Sequence, residues 1–258
     1  MIRAFRSEWH KLIRRSMLLS AVLGVGVSGL ATFLALSRAK SGVSEGGFSI
    51  ATLSLSDGWS QIMSRASDLM GVVVLGIAAV AVASEYTNGT LRNLLVREPR
   101  RVRLLAGKSL SVLSFLALLV VAACAVSLVT ALVVAPGKGV DTSTWGTSAG
   151  VHSIVVTVVD VVVSALAYAV VGGMLALVLR SAAGAITVGF AWLVIVEALI
   201  VAGWSQTAQW LPGRLFNTIA SNGSNTIAYG HAAVFAAVYV AVAAIAGAVL
   251  FRTRDVTV

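Results

Sequence analysis

Six stretches of the 258-residue chain are apolar for about twenty residues or more: about 16–36, 62–83, 109–135, 151–179, 183–203 and 231–251. The hydrocarbon core of a bilayer is about 30 Å thick, a distance that a helix of about 20 apolar residues crosses. A chain that is 58% hydrophobic and 11% charged, with a mean hydropathy of +0.95, departs far from a soluble domain. The expected fold is therefore all-α and polytopic, a single transmembrane domain of six helices over residues 1–258. The first run is longer than the apolar core of a cleaved signal peptide, and no convincing small-residue cleavage site closes it, so it is expected to stay as a span.

The flanks of these runs carry the rest of the topology. Between Ile2 and Arg15, Ile2, Phe5, Trp9, Leu12 and Ile13 share one helical face and Arg3, Lys11, Arg14 and Arg15 the other, which predicts an interfacial amphipathic helix. In the first span Ser16, Ser20, Gly24, Ser28 and Thr32 recur every four residues, a stripe small enough for another helix to approach closely. Trp59 is expected at the membrane interface, Pro136-Gly137 stops the third span, and the short stretch at Arg180 forces spans four and five into a tight hairpin. Fourteen Lys and Arg residues lie in the N-terminal helix, the 84–108 segment, the Arg180 turn and the tail, against five elsewhere. The positive-inside rule then places both termini in the cytoplasm of a multi-pass cell-membrane (inner or plasma membrane) protein.

One long polar segment, Ser84 to Lys108, interrupts the apolar pattern. Glu85 closes the second span, Gly89 permits a sharp break, and the Thr90 hydroxyl can cap a new short helix that Pro99 ends. Within that helix Leu91, Leu94 and Leu95 fall on one face while Arg92, Asn93 and Arg97 point elsewhere. Arg103 and Gly107-Lys108 lead into the third span.

This order of residues resembles the permease subunits of type-2 ATP-binding-cassette exporters. The motif match runs from Ser84 to Lys108, and the six-span layout extends the likeness more loosely to nearly the whole chain. The resemblance implies that 84–108 is a coupling helix docking into a groove on a separate ATPase, with Glu85, Gly89, Thr90, Leu91, Leu94, Leu95, Pro99, Arg103 and Lys108 as its coupling residues. It also implies two copies of a cytoplasmic ATPase, a homodimer or a heterodimer with a similar permease, and short re-entrant helices on the outer face over 204–230. ATP and Mg would be bound by the partner ATPase, and this chain would bind no cofactor of its own.

Motifs of other chemistries fail on context. Gly24-Val25-Gly26-Val27-Ser28-Gly29 fits a dinucleotide pattern but lies inside an apolar run with no strand before it. Gly107-Lys108-Ser109 resembles the end of a P-loop, yet Val102 stands where its first glycine is needed. His10, His152 and His231 are far apart and Cys124 is the single cysteine, so no metal site or disulfide is expected. No catalytic constellation appears, and the basic residues flank apolar spans rather than a polar surface suited to nucleic acid. The chain is expected to be a transport subunit, not an enzyme.

Two acids lie deep in predicted spans, Asp160 and Glu197. Facing lipid as charges they would cost about 2.5–3.5 kcal/mol each on insertion scales, so each is expected to face the bundle, a cavity or a partner. Ser153, Thr157, Ser164 and Tyr168 share the helical face of Asp160. That stripe, with Glu197, either lines a substrate path or holds helices together. The same acids would serve an ion-coupled secondary transporter, the alternative reading, beside a stand-alone membrane immunity protein.

Overall fold

Apolar runs become helices here, and the polar residues between them decide where each helix stops. The computed structural model describes residues 15–39, 48–87, 101–224 and 226–253. Over these residues the chain forms α1 (Arg15–Ser37), α2 (Gly58–Thr87), α3 (Arg101–Val134), α4 (Ser148–Leu179), α5 (Ala182–Gly203), a short α6 (Pro212–Ala220) and α7 (Tyr229–Thr253). No strand occurs among the described residues. Five helices are long and apolar enough to cross a membrane, over Gly58–Ser84, Ala106–Val134, Ser148–Leu179, Ala182–Gly203 and Tyr229–Phe251. The apolar part of α1 described in full is shorter, Ala21–Ser37.

The helix ends follow local chemistry. Thr147 caps α4 by accepting the Gly150 N–H at 3.2 Å. Arg180 stops the same helix in a left-handed conformation, φ 52°, and Ser181 caps α5 at once through the Gly184 N–H. The tight hairpin read from the sequence is thus closed by two residues. After α3, Pro136 starts a single 3-10 turn and Gly139, at φ 76°, reverses the chain. Both α2 and α3 run past the apolar boundaries read from the sequence: α3 begins eight residues before Ser109 and, at 34 residues, is about 50 Å long. A helix of that length exceeds the hydrocarbon core, so its basic first turns extend beyond it on the side of the α2–α3 connection.

Helix α4 is the hub, packed against α2, α3, α5, α6 and α7. Its approach to α2 depends on missing side chains. A Cβ on Gly172 would lie 2.5 Å from the Leu75 carbonyl oxygen, and one on Gly71 would meet the Tyr168 ring at 2.5 Å. On the other flank Ser28 and Thr32 of the α1 stripe are turned to α3, while Gly24 faces Val73 of α2. There the Ser28 hydroxyl donates to the Ala123 carbonyl at 2.8 Å and Thr32 Oγ1 pairs with Ser127 Oγ at 2.7 Å.

Trp59, the second residue of the α2 span, is turned into the bundle at that end of the helix. It is 1% exposed, and its indole N–H donates to Ser127 Oγ at 3.1 Å. A buried indole needs an acceptor, and the hydroxyl that closes the α1–α3 seam supplies one. Nearby, the loop between α3 and α4 docks on the turn at Ile50–Leu53: the Trp145 indole donates to the Leu53 carbonyl at 3.1 Å and Thr144 Oγ1 to the Ser54 carbonyl at 2.8 Å. Large apolar side chains such as Leu23, Leu199 and Ile245 remain exposed on α1, α5 and α7, as a lipid-facing surface requires.

Candidate functional site

The short helix α6 holds one of the two intramembrane acids. Its first residues are Leu211-Pro212-Gly213-Arg214, and Leu211 at the N-cap position has no side-chain acceptor for the free N–H groups of the first turn. Glu197, from the preceding span, supplies it. One carboxylate oxygen accepts the Gly213 N–H at 2.9 Å and the other the Arg214 N–H at 3.1 Å. Glu197 is 1% exposed, so these bonds and the positive end of the helix are what make a buried carboxylate tolerable. Gly213 is required by the contact, since a Cβ there would lie 2.7 Å from Glu197 Oε2.

The backbone before Glu197 is adapted to this aim. Ala191–Val196 forms a π-helix inside α5, a wider turn that brings residues five apart to the same side. Trp192 and Glu197 have that spacing, and the Trp192 indole and the Arg214 guanidinium both act on the carboxylate. A third acid, Asp68 of α2, lies within electrostatic reach of Arg214 and Asn217 on the same short helix. Between them stands Tyr168, 4% exposed, its hydroxyl donating to the Gly213 carbonyl at 3.2 Å and its ring edge-to-face with Phe216 at 5.0 Å.

Asp160 has a different partner. It is 4% exposed, and Oδ1 accepts the Tyr229 hydroxyl from the start of α7 at 2.7 Å. Its Oδ2 is the one buried side-chain polar atom without a hydrogen-bond partner among the described residues. The polar stripe of α4 therefore faces several neighbours rather than one: Ser153 bonds Ser60 of α2 at 2.8 Å, Asp160 reaches α7, and Tyr168 reaches α6. Thr157 and Ser164 are buried on the same helix.

Tyr229, Gly213, Arg214 and Asn217 were not singled out from the sequence. The signal for the Glu197 contact was nonetheless present, because Leu211-Pro212-Gly213 opens a helix without any Ser, Thr, Asp or Asn to cap it.

At the opposite end, Glu85 lies in the last turn of α2, and Arg103 and Lys108 lie in the first turns of α3. Gly89, Thr90, Leu91, Leu94, Leu95 and Pro99, the body of the expected coupling helix, lie outside the described residues, as does the interfacial helix expected before residue 15. Lys108 is 8% exposed. Among the described residues no three His, Cys, Asp or Glu side chains gather as a metal site, and Cys124 is buried and unpaired.

Residues 29–257 match the model of a family described as a protein of unknown function, DUF2705. The chain belongs to that family. The match begins within α1 and includes every later helix, so membership in DUF2705 is carried by the whole helical unit and not by the polar segment alone. No curated protein matches the chain.

Proposed function

We propose that the chain is the membrane-spanning permease subunit of an ATP-driven exporter. It would move a drug, lipid or other amphipathic substrate out of the cytoplasm using a separate cytoplasmic ATPase. The observation that carries this reading is the residue order from Glu85 to Lys108, set between two helices long and apolar enough to cross a membrane. In this reading α1 is the sixth span, two copies of the chain or two similar chains pair, and each binds one ATPase subunit. Closure of the ATPases pushes on the Leu91, Leu94 and Leu95 face, and α2 and α3 transmit the displacement as two-state rocking of the bundle. The exposed apolar faces of α5 and α7 supply surface for lipid and for a second copy.

Burial of each leucine in an ATPase groove contributes about 1.5–3 kcal/mol. Replacing Leu94 and Leu95 together by Ser should therefore abolish pull-down of the ATPase and substrate-stimulated ATP hydrolysis in reconstituted membranes, with insertion unchanged. Wild-type docking and transport by that double variant would sink the exporter reading. A second reading, an ion-coupled transporter, rests on the unpartnered Asp160 Oδ2. It predicts that Asp160→Asn and Glu197→Gln alter transport without any ATPase present, and it fails if both leave transport unchanged.

A further inference from the structure

A cavity of about 190 Å³ lies between α2, α3, α4 and α7, away from the acids around α6. Its walls are apolar and its volume is made by small residues, with Gly173 and Ala169 on α4 and Ala244 and Gly247 on α7. Lys108, 8% exposed, lines it beside Ser109. The position is informative. Val82 comes just before the end of the α2 span at Ser84, Leu177 just before the end of α4, and Ala248 just before the end of the α7 span at Phe251, while Lys108 stands two residues into the α3 span. All four helices therefore reach the cavity near the same membrane face, the one on the side of the α2–α3 connection.

We propose that this cavity holds one acyl chain of an anionic phospholipid from the adjoining leaflet, its phosphate drawn to Lys108. Three features select that occupant. An apolar chamber does not hold water stably, since a buried water needs two to four polar partners and walls such as Ala169, Val112 and Ala243 offer none. In size, a dry cavity of about 150 Å³ accepts a benzene-sized molecule, so about 190 Å³ accepts a length of one acyl chain and not two. The charge at its rim is positive, and an ammonium with three donors can hold a partner within the chain and still donate to a phosphate. A lysine at the end of a span reaches the headgroup level, where such a phosphate lies. The inference needs only a membrane-embedded bundle, so it stands independently of the exporter reading.

The test uses the full chain in nanodiscs of phosphatidylcholine containing a phosphatidylglycerol probe with a diazirine on one acyl chain. After irradiation, peptide mass spectrometry should find the label on the α4 segment with Gly173 and the α7 segment with Gly247. Unlabelled phosphatidylglycerol should compete and phosphatidylcholine should not, a comparison made on the unaltered chain. Lys108→Gln should lower labelling about fivefold, the factor corresponding to about 1 kcal/mol for one basic residue at a membrane surface, and Lys108→Arg should restore it. Ala244→Phe, which fills the chamber from a position already exposed, should remove the acyl label. Equal competition by phosphatidylcholine overturns the charge argument. Preferential labelling by a diazirine fatty acid overturns the phospholipid assignment, and label spread along the outer faces of α1 and α5 overturns the site.

Discussion

Tyr229→Phe and Asp160→Asn separate two things that the 2.7 Å bond between these side chains does. Removing the phenol oxygen leaves Asp160 without its hydroxyl partner, and interhelical bonds of this kind in membranes are worth about 0.6 kcal/mol on average. Thermal unfolding of the purified protein should therefore shift only slightly for Tyr229→Phe. Asp160→Asn keeps an acceptor for the tyrosine, so assembly should persist, and a changed substrate range in the transport assay would place the residue on the path. Loss of assembly in both variants would mark the pair as glue between α4 and α7. In the loop between α3 and α4, Asp141 accepts the Ser143 N–H at 2.9 Å, and that backbone bond, joined by the Ser143 hydroxyl, holds its carboxyl below the usual carboxylate range. The bond to the charged form is fully present above the unfolded pKa and is lost as pH falls through the lower folded value. Protection of the Ser143 amide from hydrogen exchange, corrected for intrinsic rate, should fall in acid and be independent of pH in Asp141→Asn.

Among the elements, α6 depends on a residue that is not its own. Glu197→Ala orphans the Gly213 and Arg214 N–H groups, each costing about 1–3 kcal/mol when buried. The expected result is a destabilised α6: faster amide exchange across Pro212–Ala220, with α2 and α3 unaffected. Glu197→Gln keeps one acceptor oxygen and should lie between. This contact also shows where sequence reading reached its limit. The long helices were legible because a bilayer demands unbroken apolar stretches, and Arg180 and Pro136-Gly137 punctuate them by local backbone chemistry. The partners of Asp160 and Glu197 were not, since they come from 69 and 16 or 17 residues away and their pairing depends on how the helices rotate. The π-turn at Ala191–Val196 is equally silent in composition, because its residues are ordinary helix-core residues and only its demand on the Glu197 direction explains it. The partner of Trp59 was silent for a related reason: an indole at the end of a span can meet headgroups or a buried acceptor, and only the fold places Ser127 beside it.

For the whole molecule, the distribution of Lys and Arg predicts an orientation that can be read from outside a cell. In a Cys124→Ala background, cysteines at Ser44 and Thr144 should react with an impermeant thiol reagent in intact cells, and cysteines at Asn88 and Arg254 should not. Reversed labelling would reverse the assignment of both termini. The docking of Trp145 and Thr144 on the Leu53–Ser54 turn ties together the first turns of α2 and α4 on the side of the α3–α4 loop. Trp145→Phe, which leaves the Leu53 carbonyl without its indole donor, should loosen that tie and raise amide exchange through residues 50–57.

The Glu197 contact also sets an order of events during synthesis. When α5 emerges from the ribosome its carboxylate has no partner, because Gly213 follows 16 residues later, about 1–3 s at ordinary translation rates. During that interval the fifth span must wait beside the translocon or enter with its acid protonated. A nascent chain stopped before Pro212 should therefore hold α5 in the bilayer less efficiently than one extended through Ala220. The difference should shrink in Glu197→Gln, which carries no charge to wait for a partner. On this expectation a carboxylate that caps a helix in the finished fold also times when its own span leaves the translocon.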